Sequence, residues 1–281
     1  MPGLCARGLS GLPEVRSGDD LAALIVAALE AERRADCHAD PPADPPAGPA
    51  RGGEPPRTGE LRDGQIVAVA HKVVSKGEGS VVSLADVRPG RRARELAAAQ
   101  GKDPRAVQVV LDQSAEVVRA ARGVLICRTH HGFVCANAGV DASNAPGKGG
   151  AKTLVTLPRD PDASARGLRA RLRELTGASV AVLITDSFGR AWRHGQCDVA
   201  IGCAGMAPLE DWRGRTDAAG LQLRATWLAV ADAAAAAADL ARAKDSREPV
   251  VVIDGLERFV TAADGPGAAA LVRPPEVDLF R

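Results

Sequence analysis

Five short apolar runs, Gln65 to Ala70, Val124 to Cys127, Lys152 to Leu157, Ser179 to Ile184 and Val250 to Ile253, alternate along this chain with longer stretches of helical periodicity. Runs of this length, rich in branched residues and bounded by turn-forming residues, read as strands. Between them, Leu21, Leu24, Ile25, Ala28 and Leu29 share one helical face behind an acidic cap at Asp19-Asp20. Helices are also predicted over 91–100 and over 104–122, the latter placing Val107, Val110, Leu111, Ser114 and Val118 on one side. Another starts at Asp160-Pro161, turns Leu168, Leu172 and Leu175 inward and is closed by Thr176-Gly177; the Ala-rich segment 226–244 supplies one more. With aromatics at 2% and no Tyr, core volume must come from Val, Leu, Ile and Ala. That composition suits branched strands packed on Ala/Leu helices, an α/β class.

The 281 residues, 46% of them hydrophobic, suffice for one substantial core, and no fixed-period repeat suggests a solenoid. We read residues 1–281 as a single unit, interrupted over 35–60 by a Pro-, Ala- and Gly-rich insert that buries too little apolar surface to order itself. The 36 basic and 35 acidic side chains give a net charge of +1, which argues against sequence-independent binding of nucleic acid. No signal-like N-terminus and no apolar run of membrane-spanning length are present, so the expectation is a cytoplasmic protein with no membrane partner. Six cysteines without CxxC spacing read, for the most part, as reduced, core-filling thiols.

Three stretches carry side chains suited to chemistry. In the first, 131–144, a strand-like run ends in Asp141, Ser143 and Asn144, oxygen donors of the kind a hard cation or a phosphate uses; an Asx-capped loop explains the same residues equally well. In the second, Lys72 and Lys76 lie four apart beside Gly and Ser, suited to phosphate oxygens or simply to solvent on a loop. In the third, the strand 179–184 delivers Asp186 and Ser187 to a Gly-containing loop that continues to Arg190 and Arg193. Two further patterns mislead. The segment 146–153 ends in Lys-Thr after glycines, but Ala151 and Pro146 occupy the positions where a Walker A loop needs Gly. Cys127, His130, His131 and Cys135 have zinc-ligating side chains without a zinc-knuckle spacing.

Taken together, Gly11-Leu12-Pro13-Glu14 with Gly18-Asp19-Asp20-Leu21, Lys72-Val73-Val74-Ser75-Lys76, Gly139 to Asn144, Thr185 to Arg193 and Gly195 to Gly202 closely resemble the coenzyme F420-0:L-glutamate ligase family, in order and in separation. The resemblance extends to the ending, Arg273 to Arg281. It implies mixed β-sheets with flanking helices, a homodimer, and GTP-dependent joining of L-glutamate to coenzyme F420-0 through an acyl phosphate, with Mg²⁺ or Mn²⁺ (two ions) required and K⁺ stimulating. On this resemblance Asp141, Asp186 and Ser187 are metal ligands. Leu12, Pro13, Glu14, Val15, His71, Lys76 and Asn144 match nucleotide-contacting positions. Arg190 and Arg193 are our own additions, as clamps on substrate phosphate or carboxylate or else as structural ion pairs.

The chain departs from the family pattern in four places. His71 stands where Ser or Thr is usual, Ser187 where Thr is usual, Cys197 in place of Thr, and Gln222 where Glu is frequent. A neutral Gln222 would hold a second cation more weakly than Glu. The rival expectations are a nucleotide-binding regulatory homologue without turnover and a ligase for another phospho-carboxylate acceptor. No nitroreductase-like domain of the kind fused to some relatives is expected, and with it no flavin-dependent activity.

Overall fold

A computed structural model describes residues 3–38, 59–142, 152–243 and 245–278. At its centre runs the strand order β1 (Cys5–Gly8), β12 (Val250–Asp254), β2 (Ile66–Ala70), β8 (Ala181–Arg190), β9 (Arg193–Ala204). Only β2 and β8 run parallel; the other neighbours are antiparallel, so the sheet is mixed. Successive strand residues face opposite ways, and here both faces are covered. Val67, Val69, Val182, Ile184, Val250 and Val252 pack under helices α1 (Leu21–His38) and α5 (Pro161–Thr176). Ile66, Ala68, Leu183, Val251 and Ile253 pack under α6 (Val230–Ala241). The result is a helix, sheet, helix sandwich in which a near-continuous apolar run is the required pattern for a central strand.

A smaller layer flanks it. The strands β4 (Ser114–Ala121), β5 (Val124–Thr129) and β6 (Val134–Ala136) form an antiparallel sheet against α3 (Arg91–Gln100) and α4 (Pro104–Asp112). Beside it β3 (Val81–Ser83) pairs with β7 (Thr153–Val155). The remaining described strands, β10 (Leu209–Asp211) and β11 (Trp227–Ala229), pair with each other ahead of α6.

The class and the mixed sheets agree with expectation, and four element assignments and one inward-facing residue are corrected. The helix predicted over 104–122 ends at Asp112, and Ser114 to Ala121 pairs with β5 instead. Residues 71–77 form the helix α2 (His71–Gly77), not a loop. The strand that reaches Asp186 continues to Arg190, because a β9 edge is available to pair with it, so Asp186 lies within a strand. The Ala-rich helix begins at Val230, since Trp227 to Ala229 is taken into a strand. On α5, Leu168 and Leu172 are buried but Leu175 is exposed, one turn too close to the helix end to reach the core. The cap predictions hold: Asp20 accepts from Ala23 N at 3.0 Å, and Gly177 ends α5 with φ +75°.

Among the described residues no helix is long and apolar enough to cross a membrane. Cys127, Cys135 and Cys203 are buried free thiols, as composition suggested. Of the insert expected over 35–60, residues 35–38 close α1 instead, while 39–58, the glycine-rich 143–151, and with it Ser143 and Asn144, lie outside the described residues.

Candidate functional site

The parallel pair β2 and β8 ends in register, Ala70 opposite Thr185, and the next residue on each side is a titratable one, His71 and Asp186. Beyond Ala70 the chain turns into α2, so the β2-side edge of β8 is vacated where Asp186 begins. Crevices at the carboxyl ends of parallel strands are where open α/β sheets bind ligands. Asp186 curls along that edge: its Oδ1 accepts from Ser187 N at 2.8 Å. His71 is 2% exposed, and its Nε2 lies 3.3 Å from Asp186 Oδ1. That approach is close enough for charge pairing, yet Nε2 makes no hydrogen bond and is shielded from solvent. A buried polar atom left in that condition costs roughly 1–3 kcal/mol. On the other side of the ring Nδ1 sits 3.4 Å from Ser75 Oγ, one helical turn on.

On the opposite face of β8 a different arrangement occupies the same level. Thr185 and Ser187 alternate with Asp186, and both donate to Asp198 of β9, at 2.8 Å to Oδ2 and 2.6 Å to Oδ1. Arg242, just past α6, donates to Asp198 Oδ2 as well and to Thr185 Oγ1 at 2.7 Å. Asp198 is 1% exposed, so its charge depends on partners within the protein, Arg242 among them.

Asp141 reaches the site from the smaller layer. Its backbone bridges to Val155, N to O at 2.9 Å and O from N at 2.8 Å, which ties 140–142 to β7. The approach depends on Gly139 at φ +71°, where an added Cβ would stand 2.7 Å from the Leu157 side chain. The Asp141 carboxylate meets Lys72 Nζ at 2.5 Å. Four residues along α2, Lys76 Nζ meets Glu14 Oε1 at 2.5 Å, and Gly18 N donates to Gly77 O at 2.9 Å. The Leu12 to Val15 segment is thereby laid beside α2, Val15 buried and Leu12 packed on the main core. A groove of 820 Å³, lined in part by Asp20, Gly77, Arg159 and Arg171, opens at the far end of α2 from His71.

The structure thus brings Leu12 to Val15, His71, Lys76, Asp141 and Asp186 to one end of the sheet. It does not converge the predicted metal ligands into a ready cluster: among the described residues no three His, Cys, Asp or Glu side chains stand together as a metal site. Strand alternation sends Ser187 to the face away from Asp186. Arg190 and Arg193 face each other at the exposed tip of the β8–β9 hairpin, where Arg190 Nη2 donates to His194 O at 2.6 Å. Cys127 and Cys135 are direct cross-strand neighbours on β5 and β6. Burial, with Asp186 and Cys127 adding, pushes the Cys135 thiol up to about 12, so at neutral pH it is an un-ionised filler. His130 and His131 bond backbone carbonyls, of Asp112 and of Pro158 and Arg159, so the four zinc-type side chains are scaffold. Lys72, singled out with Lys76 for phosphate, also holds Asp141; the residues that sequence reasoning left without a role are Thr185, Asp198 and Arg242. Asp198 lies inside the 195–202 motif, its one sequence signal; for Arg242 the sequence holds none.

Comparison with known proteins gives a concordant result. The family description F420-0:Gamma-glutamyl ligase matches residues 11–255. Proteins named coenzyme F420:L-glutamate ligase are similar over nearly the whole chain. The one from Methanothermobacter thermautotrophicus is 40% identical over 99% of both chains, and that from Methanopyrus kandleri 40% identical over 95% of this chain and 94% of its own. The Methanocaldococcus jannaschii protein is 40% identical over 82% and 92%.

Proposed function

The chain belongs to the F420-0:gamma-glutamyl ligase family, and from that premise we propose that it joins L-glutamate to coenzyme F420-0 by an amide bond in the biosynthesis of coenzyme F420. The observation that carries the reading to this chain's residues is the gathering of Asp186, Asp141, Lys72 and Lys76 at the carboxyl ends of β2 and β8. A carboxylate does not accept an amine directly; its oxygen must first become a leaving group. In the proposed sequence an oxygen of the F420-0 carboxylate attacks the γ-phosphorus of GTP and GDP departs. The amine of L-glutamate then attacks the acyl carbon, inorganic phosphate leaves with the C–O electron pair, and the amine loses a proton. The γ-carboxylate of the added glutamate enters a second round the same way.

Crowding these anions calls for cationic partners. Lys72 and Lys76 now hold Asp141 and Glu14, and incoming phosphates compete for their ammonium groups. The donors at Asp141 and Asp186 are carboxylate oxygens, which fits Mg²⁺ or Mn²⁺; the Ser187 hydroxyl, expected as a third ligand, is given to Asp198 on the other face of β8. Such ions, one or two of them with K⁺ as an accessory, supply neutralisation of charge on the transferring phosphoryl group. Within this reading the Leu12 to Val15 segment, His71 and Asn144 line the nucleotide, and two copies of the chain form the working unit.

Incubation of the protein with F420-0, GTP, Mn²⁺ and L-glutamate, followed by mass spectrometry, tests the proposal. A product heavier by one glutamyl unit, appearing with equimolar GDP, is expected. Nucleotide binding without any glutamyl product overturns it in favour of a regulatory homologue.

A further inference from the structure

We propose that His71 donates a nitrogen ligand, through Nε2, to the divalent cation held at Asp186, and that this chain thereby favours Mn²⁺ over Mg²⁺. The inference rests on the metal reading of Asp186 given above and adds to it a ligand and a preference. Three observations carry it.

The first is the state of the atom. Nε2 is buried, lacks any hydrogen bond and points at a carboxylate, on a residue 2% exposed. A ring N–H donated to Asp186 would be aimed at the carboxylate and close to about 2.7–2.9 Å, as hydrogen bonds to a charged acceptor do. The observed contact is longer and fails as a hydrogen bond.

The second is the spacing. Two donors that each lie about 2.1 Å from one ion stand about 3.0 Å apart at a right angle and about 3.4 Å apart at the tetrahedral angle. The 3.3 Å between His71 Nε2 and Asp186 Oδ1 falls inside that interval.

The third is the support. His71 and Asp186 are each the first residue beyond the last β2–β8 pair, so sheet register fixes their separation. Ser75, buried and one turn along α2, lies 3.4 Å from Nδ1. With Nδ1 donating to that hydroxyl, the lone pair is left on Nε2, the arrangement that orients metal-ligating histidines. A nitrogen donor alters which ion is held best. Mg²⁺ demands near-ideal octahedral oxygen coordination and gives up its waters reluctantly, so exchanging one oxygen for an imidazole nitrogen costs it more than it costs Mn²⁺, which is larger and less tightly hydrated.

The test uses the full chain with Mn²⁺ alone as probe. Pulsed electron paramagnetic resonance of the bound ion is expected to show coupling to a directly coordinated ¹⁴N nucleus. That coupling should convert to ¹⁵N in protein grown on ¹⁵N-histidine, a readout that needs no variant to fold. In His71→Gln the nitrogen coupling should vanish while Mn²⁺ stays bound, and the ratio of Mn²⁺ to Mg²⁺ affinity should fall about tenfold. Bound Mn²⁺ without nitrogen coupling, or coupling that persists in His71→Gln, overturns the proposal. Asp186→Asn separates the two layers of argument. If it loses Mn²⁺ while the wild type binds the ion without nitrogen coupling, the metal site at Asp186 stands and only the role of His71 fails. If Asp186→Asn binds Mn²⁺ as the wild type does, both fail.

Discussion

On one face of β8, Thr185 and Ser187 close a circuit with Asp198 and Arg242; on the other, at the same level of the strand, Asp186 and His71 stand 3.3 Å apart with no hydrogen bond between them. Both faces bury ionisable groups at the end of a central strand, and physics sets the same demand on each: a buried charge must be paired or supplied with donors. The α6 face meets it with protein atoms alone. The α2 face leaves Nε2 unmet, and the shortfall is tolerable only where the fold has stability to spare or where something else completes the set. On the proposed function, the difference separates a wall that holds the site in place from a surface that receives a ligand.

Breaking the wall should have the largest effect. Asp198→Ala strands the Arg242 guanidinium in a pocket where its side chain is 10% exposed and leaves two hydroxyls without their acceptor. A loss of about 3–5 kcal/mol in urea unfolding is expected. A change below about 1 kcal/mol would erase the distinction between the faces.

Asp186→Asn should do the reverse. Its carboxylate accepts one backbone amide, a bond the Asn carbonyl can keep, so the urea midpoint should hardly move. Turnover in the glutamyl-transfer assay should fall at least about a hundredfold, some 2.7 kcal/mol of transition-state stabilisation. A variant as unstable as Asp198→Ala would show Asp186 to be wall after all.

How much of this contrast was legible in the sequence depends on how far apart the interacting residues lie. The central strands announced themselves because 66–70, 181–184 and 250–253 are buried on both faces and therefore apolar throughout. Capping at Asp20 and Asp160 is local, within three residues, and was readable for the same reason. The segment 114–121 was misassigned because Ser114 and Val118 continue the helical spacing of Val107 and Val110; only pairing with β5 decides it, and pairing is not local. Lys72 and Lys76 looked like loop lysines, although α2 is what turns one toward Asp141 and the other toward Glu14. The Asp198 circuit joins residues 11, 13 and 44 positions away, the last beyond an Ala-rich helix with no feature of its own. Family resemblance singled out Asp141 and Asp186 as candidates, but no spacing along the chain foretold a nitrogen on His71 without a hydrogen bond.

Lys76 offers a sharper measure of the receiving surface. Its ammonium is held by Glu14, itself largely exposed, so the pair adds little to stability. Lys76→Met should leave unfolding unchanged within about 0.5 kcal/mol. It should raise KM for GTP about tenfold, near 1.4 kcal/mol, if the ammonium meets nucleotide phosphate. An effect on kcat alone would move Lys76 from ground-state binding to the transferring phosphoryl group.

The smallest effect is expected at the hairpin tip. Arg190 and Arg193 entered as clamp candidates because they follow Asp186 closely in sequence, but a strand advances about 3.3 Å per residue, so Arg190 lies about 13 Å further along β8. The Arg190 guanidinium is occupied by the His194 carbonyl, and both side chains are exposed. Within one protomer they are poorly placed to hold a group bound at Asp186. Arg193→Ala should therefore shift stability by less than about 0.5 kcal/mol and kcat/KM by less than about threefold. A tenfold loss of kcat/KM with stability intact would mean that the tip serves a site other than its own, the arrangement a homodimer permits. Dilution would then expose it: specific activity of the wild type would drop as the dimer dissociates, whereas a self-contained protomer would keep its activity.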